Sequence, residues 1–419
     1  MQYHFTRVFV KAFKDNGIMK KSQASLLFIF VTVTLEMIGI GLIIPSLPGI
    51  MRRFVSDPSQ VSAYYGYFVS LYALMQFIAS PFLGALSDRF GRRPVLLVSL
   101  FCAGLDYLLM AFAPNLGILF VGRIISGLTG ACITVAMAYI ADISTDENRS
   151  KNYGMVGAAF GLGFIIGPAI GGLLGQYGPQ YPFVAAAILN LVNFCFGIFV
   201  LPESFLPDKR RSFSWKKANP FISLTKLFNM PAILLLAAVH FLFMLSGNTH
   251  PSVWVLYTEF RYGWTTGQVG ASLALVGILS AIAQGWLTGI MVKKFGEYRV
   301  VLWGSLGFAA EFVALGLSNQ GWMIYPILIM FSVFWTAQPA LQGLISKEIP
   351  ANEQGEMQGS LVSLTSLTAI INPLITTQLF AIFSSPSAPI FAPGAPYFFA
   401  ALVALISWIL LIYSHKKTA

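Results

Sequence analysis

Four ionisable side chains stand inside long apolar runs. Glu36 lies in "TVTLEMIGIG", Asp106 in "AGLDYLLM", Arg123 at the start of "GRIISGLTGA", and Glu311 follows "GFAA". A charged group at the centre of a bilayer costs roughly 2.5–3.5 kcal/mol on insertion scales, so each is a functional candidate by default. A buried carboxyl can carry a proton or meet a polar substrate. Its plainer role is a hydrogen bond between helices, worth about 1 kcal/mol. The guanidinium of Arg123 cannot be discharged and needs a carboxylate or backbone partner. It can favour proton release from a nearby acid on one side of the membrane, or act as a structural clamp.

These residues need spans to hold them. The chain of 419 residues is 56% hydrophobic and only 10% charged, against roughly 25% charged in average soluble domains. A bilayer span takes about 20 apolar residues. Runs of that length lie near 24–50, 61–86, 94–113, 118–141, 153–175, 181–201, 230–256, 268–290, 299–317, 322–345, 357–382 and 395–414. They are too long and continuous for barrel strands. The expected class is an all-α integral membrane protein with twelve transmembrane helices. The seventh run is interrupted by "SGNTHPS". The first is too long for a signal-peptide core and is read as a retained span.

The net charge of +10 does not mark a nucleic-acid binder, because the Lys and Arg sit in short loops between spans. With the N-terminus cytoplasmic, 22 of the 26 fall on the inner side, and only Arg52, Arg53 and Arg261 on the outer side. A shift by one span would scramble that asymmetry, so both ends are expected inside. Cys102, Cys132 and Cys195 all lie in apolar runs without metal or disulfide spacing, and His240 and His250 fit no metal spacing.

The longest hydrophilic connection divides the chain six plus six. The expected parts are an N-terminal extension (1–23), a first six-helix bundle (24–201), a central cytoplasmic loop (202–229), a second bundle (230–414) and a tail (415–419). "GALSDRFGRRPVLL" (Gly84 to Leu97) has a counterpart in "GIMVKKFGEYRVVL" (Gly289 to Leu302). Gly84 matches Gly289, and Phe90-Gly91 matches Phe295-Gly296; Lys293 stands where Asp88 stood. Repeated halves with a site near the midplane are the architecture of secondary transporters. In the first stretch Gly84 and Gly91 are expected to allow a tight turn. Asp88 is expected at the start of the third span, where an anion suits a helix N-terminus.

Gly84-x-Leu86-Ser87-Asp88-Arg89-x-Gly91-Arg92-Arg93 resembles the loop signature of the major facilitator superfamily. Gly154-x8-Gly163-x3-Gly167-Pro168-x2-Gly171-Gly172 in the fifth span looks like the antiporter motif of its drug/H+ exporters, without a gap. "GRIISGLTGA" is similar to the family's intramembrane Arg motif. "GIGLIIPSLPG", "AYIADIS", "PALQG" and "QGSLVSLTSL" narrow the resemblance to the tetracycline/H+ antiporters, over about Leu26 to Ile412.

That resemblance implies two pseudo-symmetric halves and a transporter, not an enzyme, that exports an amphipathic drug, a tetracycline, in exchange for H+. It implies proton coupling at Glu36, Asp106, Arg123 and Glu311. Substrate contacts are implied at Glu36, Gln76, Gln284, Gln338 and Asn190, with Gln76 and Gln284 as repeat partners; helix–helix contact is the alternative for the amides. Gating is implied at Gly84, Asp88, Arg89, Gly91, Arg92, Arg93 and Asp142, the first group latching an inner gate near Gln358 to Ser360 and Asp142. Gly163, Gly167, Pro168, Gly171 and Gly172 would form a pliable gate. Two positions depart from the subfamily: Phe308 stands where the ninth span carries an Asp, with Glu311 one turn on, and Ser280 where the eighth often carries a His. Asn372-Pro373 replaces a Gly-Pro.

The expected setting is a bacterial inner membrane, with lipid, proton and small-molecule substrate as the partners, no cofactor or metal of its own, no nucleic acid, and a monomer as the working unit. A tetracycline substrate would bring its own divalent cation. The sequence has no P-loop pattern, which argues against ATP as the energy source. An exporter of the same fold for a siderophore, metabolite or other antibiotic stays open. An integral-membrane enzyme would need a clustered nucleophile or metal set, and a receptor would tolerate loss of the buried acids.

Overall fold

In the computed structural model, residues 21–130, 132–145, 149–205, 231–349, 354–386 and 388–418 are described. Among them, twelve helices are long and apolar enough to cross a membrane. Spans 1 to 6 are Leu26–Met51, Pro58–Phe90, Arg92–Ala111, Leu116–Ile143, Asn152–Gly175 and Tyr181–Val200. Spans 7 to 12 are Ile233–Tyr262, Thr266–Phe295, Glu297–Leu317, Gly321–Lys347, Gly359–Ser384 and Ala395–His415. Each matches one apolar run of the sequence. The N-terminal extension up to residue 20 and most of the central loop (206–230) lie outside the described residues.

The helices follow from composition more than from amphipathic pattern. In a bilayer every backbone N–H and C=O must be satisfied within the chain, and a helix does this locally. The burial pattern is accordingly unlike that of a soluble bundle. Large apolar side chains such as Phe112, Leu173, Trp286 and Trp303 are exposed on the outer faces of the helices, while Thr32, Asn190, Asn193, Ser272 and Thr376 are buried. This is a multi-pass membrane protein.

The described residues group into two compact units. One takes those within Met1–Ile43 and Met75–Asn219, the other Ile44–Leu74 with Pro220–Ala419. The first has a core of Phe28, Ile29, Val33, Leu96, Tyr139 and Ile140. The second has a core of Val239, Phe243, Val301, Ala337, Leu341 and Ile345. The six-plus-six division follows the order of the chain, whereas packing places the end of span 1 and the first half of span 2 with the later helices.

Local chemistry fixes the helix ends. Asp57 precedes span 2 and accepts bonds from the Ser59 hydroxyl (2.8 Å) and N–H (2.9 Å). These bonds, the hydroxyl's first, hold its carboxyl below the usual range. Thr265 closes a capping box with Gln268 at the start of span 8. Span 7 is broken at Asn248, between helices Pro231–Gly247 and Thr249–Tyr262. Pro251 in that segment supplies no N–H, which frees a carbonyl of the preceding turn.

Candidate functional site

Asp106 sits on span 3, 2% exposed. Its Oδ2 accepts a hydrogen bond from the Ser126 hydroxyl of span 4, and its Oδ1 has no hydrogen-bond partner among the described residues. Gly122, one turn before Ser126, makes room: a Cβ there would stand 3.0 Å from that free oxygen. Arg123 is buried on the same helix as Gly122 and Ser126. An acid and a hydroxyl therefore meet where spans 3 and 4 pack, and a permanent cation is buried on the same helix as the hydroxyl. The sequence placed Asp106 and Arg123 among the candidates but did not point to Ser126.

Glu36 is buried on span 1. It shares a helix face with Thr32 and Gly39, four residues before and three after. Thr32 donates to Asn193 Oδ1 of span 6 at 3.2 Å. A Cβ at Gly39 would meet Asn190 Nδ2 at 3.2 Å. The Asn190 amide turns back to the Ala186 carbonyl (2.9 Å). Glu36 thus lies along a polar seam between spans 1 and 6.

Glu311 is buried on span 9 and accepts from Trp335 Nε1 of span 10 at 2.8 Å. Counted from the aligned glycines Gly91 and Gly296, it stands at the same register as Asp106. Each half therefore carries one buried acid at one register of its third helix, bonded to the helix that follows. Phe308, by contrast, packs against the apolar core of the second unit: its ring stacks on Phe243 (5.2 Å) and meets Phe312 edge-on (5.1 Å).

The remaining amides are dispersed. Gln76 donates to the Gly130 carbonyl of span 4 at 3.3 Å. Gln338 makes a long contact to Met244 Sδ (3.8 Å). Gln284 is exposed, in the π-helical turn Ala283–Leu287 of span 8. Within each unit, the structure does not gather these amides around a carboxyl.

The charged stretch after span 2 is a network. Arg92, 7% exposed, reaches Asp88 (2.6 Å), Asp142 (3.1 Å) and the Ser87 hydroxyl (2.5 Å). Two expectations are corrected here. Asp88 does not begin span 3; it lies in the last turn of the helix Pro58–Phe90. Gly84 is inside that helix, so the turn falls on Gly91 alone, whose φ of 103° disfavours any side chain. The anion at the N-terminus of span 3 is instead Glu203. Its carboxylate accepts the backbone N–H groups of Arg92 (2.8 Å) and Arg93 (3.2 Å), which are otherwise orphaned at a helix start. Arg93 donates to the Ile198 carbonyl (2.7 Å). Arg89 stacks on Phe90. The Gln358 side chain proposed as a gate contact lies outside the described residues.

The second half repeats this network with its charges exchanged. Gly296 also has positive φ (78°), Lys294 lies over Phe295 as Arg89 lies over Phe90, and Glu297 pairs with Lys347 at 2.5 Å. Glu297 and Lys347 are the register partners of Arg92 and Asp142. The inversion preserves the ion pair while hiding it from a search for identical residues.

Spans 1 and 5 meet through glycine. A Cβ on Gly167 would stand 2.8 Å from the Gly41 Cα and from the Ile38 carbonyl oxygen. Gly163 faces Met37 and Ile38, and Gly171 faces Leu42. These backbones are in contact, and Pro168 lies inside the helix beside Gly41. Gly172 is buried next to them. Gly154 has open space around it. Gly167→Val has no side-chain tip to push aside, so it is expected to cost more than the 1–3 kcal/mol of ordinary overpacking. Membrane-inserted protein should fall at least fivefold by immunoblot, with a lower melting temperature in detergent, while Gly154→Ala stays at the parent level.

Twelve spans, a register-matched buried acid in each half and a charge-bearing turn repeated across them define a membrane transporter of the two-fold repeated type. The family model for the Major Facilitator Superfamily matches residues 29–373, and the chain belongs to that family. It is 44% identical over 361 residues to a class C tetracycline resistance protein of Escherichia coli, covering 86% of this chain and 91% of that one. It is 42% identical to the class B protein of the same organism over 364 residues, 86% and 88% of the two chains. Multidrug resistance protein 2 of Bacillus subtilis is 31% identical, with 86% and 91% covered. Among solved structures, the nucleoside transporter NupG superposes with a TM-score of 0.76 at 12% identity, covering 93% of this chain and 99% of that one, a likeness of fold alone.

Proposed function

We propose that this protein exports a tetracycline from the bacterial cytoplasm in exchange for protons, by alternating access in the inner membrane, with both termini cytoplasmic and a monomer as the working unit. The observation that carries it is the identity of 38–44% to six tetracycline resistance proteins along 84–86% of the chain. The buried acids Asp106, Glu36 and Glu311 support the proton side. Protonation from outside releases the drug, and deprotonation inside resets the cycle. One pH unit supplies about 1.4 kcal/mol per proton, and 100 mV about 2.3 kcal/mol per charge. One or two protons therefore sustain a drug gradient of tenfold or more. The drug would travel with its own divalent cation, which counts as cargo.

The aromatic stack around Phe308 favours a second reading, export of another amphipathic drug. In everted membrane vesicles, tetracycline should accumulate when the interior is acid, and a protonophore should abolish the uptake. Purified protein should release protons when tetracycline is added. Resistance and uptake confined to other compounds in a drug panel would replace the tetracycline assignment. Uptake indifferent to the protonophore would overturn proton coupling.

A further inference from the structure

Three tyrosines and a serine crowd one end of the second unit, beyond Glu311. Glu311, Leu315 and Ser318 follow one face of span 9 and its cap, at intervals of four and three residues, and all three are buried. Tyr257 of span 7 donates to the Leu315 carbonyl (2.8 Å). Tyr262, at the end of that span, bonds the Ser318 hydroxyl and donates to the Tyr257 hydroxyl at 3.4 Å. Tyr262 is partly exposed, whereas Tyr257 and Tyr397 are fully buried. The Tyr397 ring, on span 12, meets Tyr257 edge-on (4.9 Å) and stacks over Phe312 (6.2 Å). Tyr397 therefore bridges the tyrosine pair and the turn of span 9 that holds Glu311.

Buried hydroxyls are normally hydrogen-bonded. The Tyr397 hydroxyl has no partner among the described residues, so both its proton and its lone pairs are open. Charged groups here are few. Arg261 donates to the Ser318 carbonyl (3.3 Å), and Glu259 is paired with Arg52 (2.6 Å). On span 9 the others are Glu297 and Arg299, at the opposite end. Spans 8, 10, 11 and 12 carry no charged or histidine residue short of Lys293, Lys347 and His415.

We infer that the hydroxyls of Tyr262, Tyr257 and Tyr397 carry protons between the outer face and Glu311, within the second unit. This rests on the exporter reading, in which a buried acid takes up a proton from outside, and on the charge asymmetry that puts Arg261 on the outer side. Ser318 stands seven residues from Glu311, about 10 Å at 1.5 Å per residue, a distance that needs intermediate oxygens. Each hydroxyl accepts a proton as it gives its own to the next, so one O–H bond forms and one breaks at every oxygen. No tyrosinate is left behind, and the net change is one proton moved from outer water to the Glu311 carboxylate.

The experiment uses the detergent-purified full chain without drug. Trp335 donates to Glu311 (2.8 Å), so its fluorescence reports the charge on that carboxyl. After a stopped-flow acid jump the parent should show a phase that Glu311→Gln and Trp335→Phe both abolish. Tyr397→Phe keeps the ring and removes an oxygen without a hydrogen-bond partner among the described residues. A purely structural role for Tyr397 therefore leaves the phase unmoved. On the proton route the phase should slow at least fivefold, with the melting temperature at or above that of the parent. A phase within twofold of the parent overturns the route, as does a slowing matched by a falling melting temperature, which marks lost packing. A parent without the Glu311-dependent phase removes Glu311 as a proton site and the route with it. A phase that slows as expected, in a protein whose vesicles take up no tetracycline, upholds the route and removes the drug assignment alone.

Discussion

Asp88→Asn should stop efflux while leaving the protein in the membrane at close to normal amount. Arg92 is the buried centre of its network, and it keeps Asp142, Ser87 and its stacking on Phe205 when Asp88 is neutralised. Asp88 is the peripheral member, with its side chain 36% exposed. With Asp142 and Ser87 still holding the buried guanidinium, loss of the charge on the partly exposed Asp88 is expected to leave the twelve-span fold standing. Drug uptake in everted vesicles should fall at least twentyfold, with the protein level within twofold of the parent and drug binding to purified protein retained. Arg92→Ala makes the opposite test. It strips a buried centre from Asp88 and Asp142 together, so protein level and transport should fall in parallel. Equal levels and equal transport for Asp88→Asn and the parent would reduce the cluster to a topology anchor.

The spans were legible because bilayer insertion is decided by composition over about twenty residues, and the chain's few charges mark the loops. Asp106, Glu36 and Glu311 were legible for the same reason, as costly groups in apolar runs. Partners far apart in sequence were not. Nothing near Glu203 announces that it caps a helix 111 residues earlier, and Ser126 looks like any small hydroxyl of a packed helix. The misplacement of Asp88 has a local cause. A carboxylate just past an apolar run, three residues before a Gly, looks like a helix start, but the preceding helix runs four residues past the apolar stretch, to Phe90. The exchanged pair Glu297–Lys347 was hidden by its reversed signs, although the Gly and Phe around it had already disclosed the repeat. The glycine seam was legible as close packing, but its partner, span 1, is set by tertiary structure.

Asp106→Asn should abolish proton release on drug addition without dismantling the site. The substitution is isosteric, and the amide oxygen can still accept from Ser126. Gly122 keeps the room that the side chain needs. What disappears is the ability to exchange a proton at an oxygen that no donor occupies. Coupled uptake in everted vesicles should therefore fall at least tenfold, while a drug gradient imposed across proteoliposomes should still drive exchange of labelled for unlabelled drug. Ser126→Ala separates position from charge. It removes the hydroxyl contact, leaves the carboxyl and Arg123, and should shift the pH profile of uptake without ending it. Glu311→Gln tests the register partner. If both halves contribute a proton site, Glu311→Gln should lower the number of protons released per drug while Trp335 keeps its acceptor, since a Gln carbonyl takes the same N–H. Unchanged proton release in Asp106→Asn would move the coupling to Glu36, the other buried acid of the first unit.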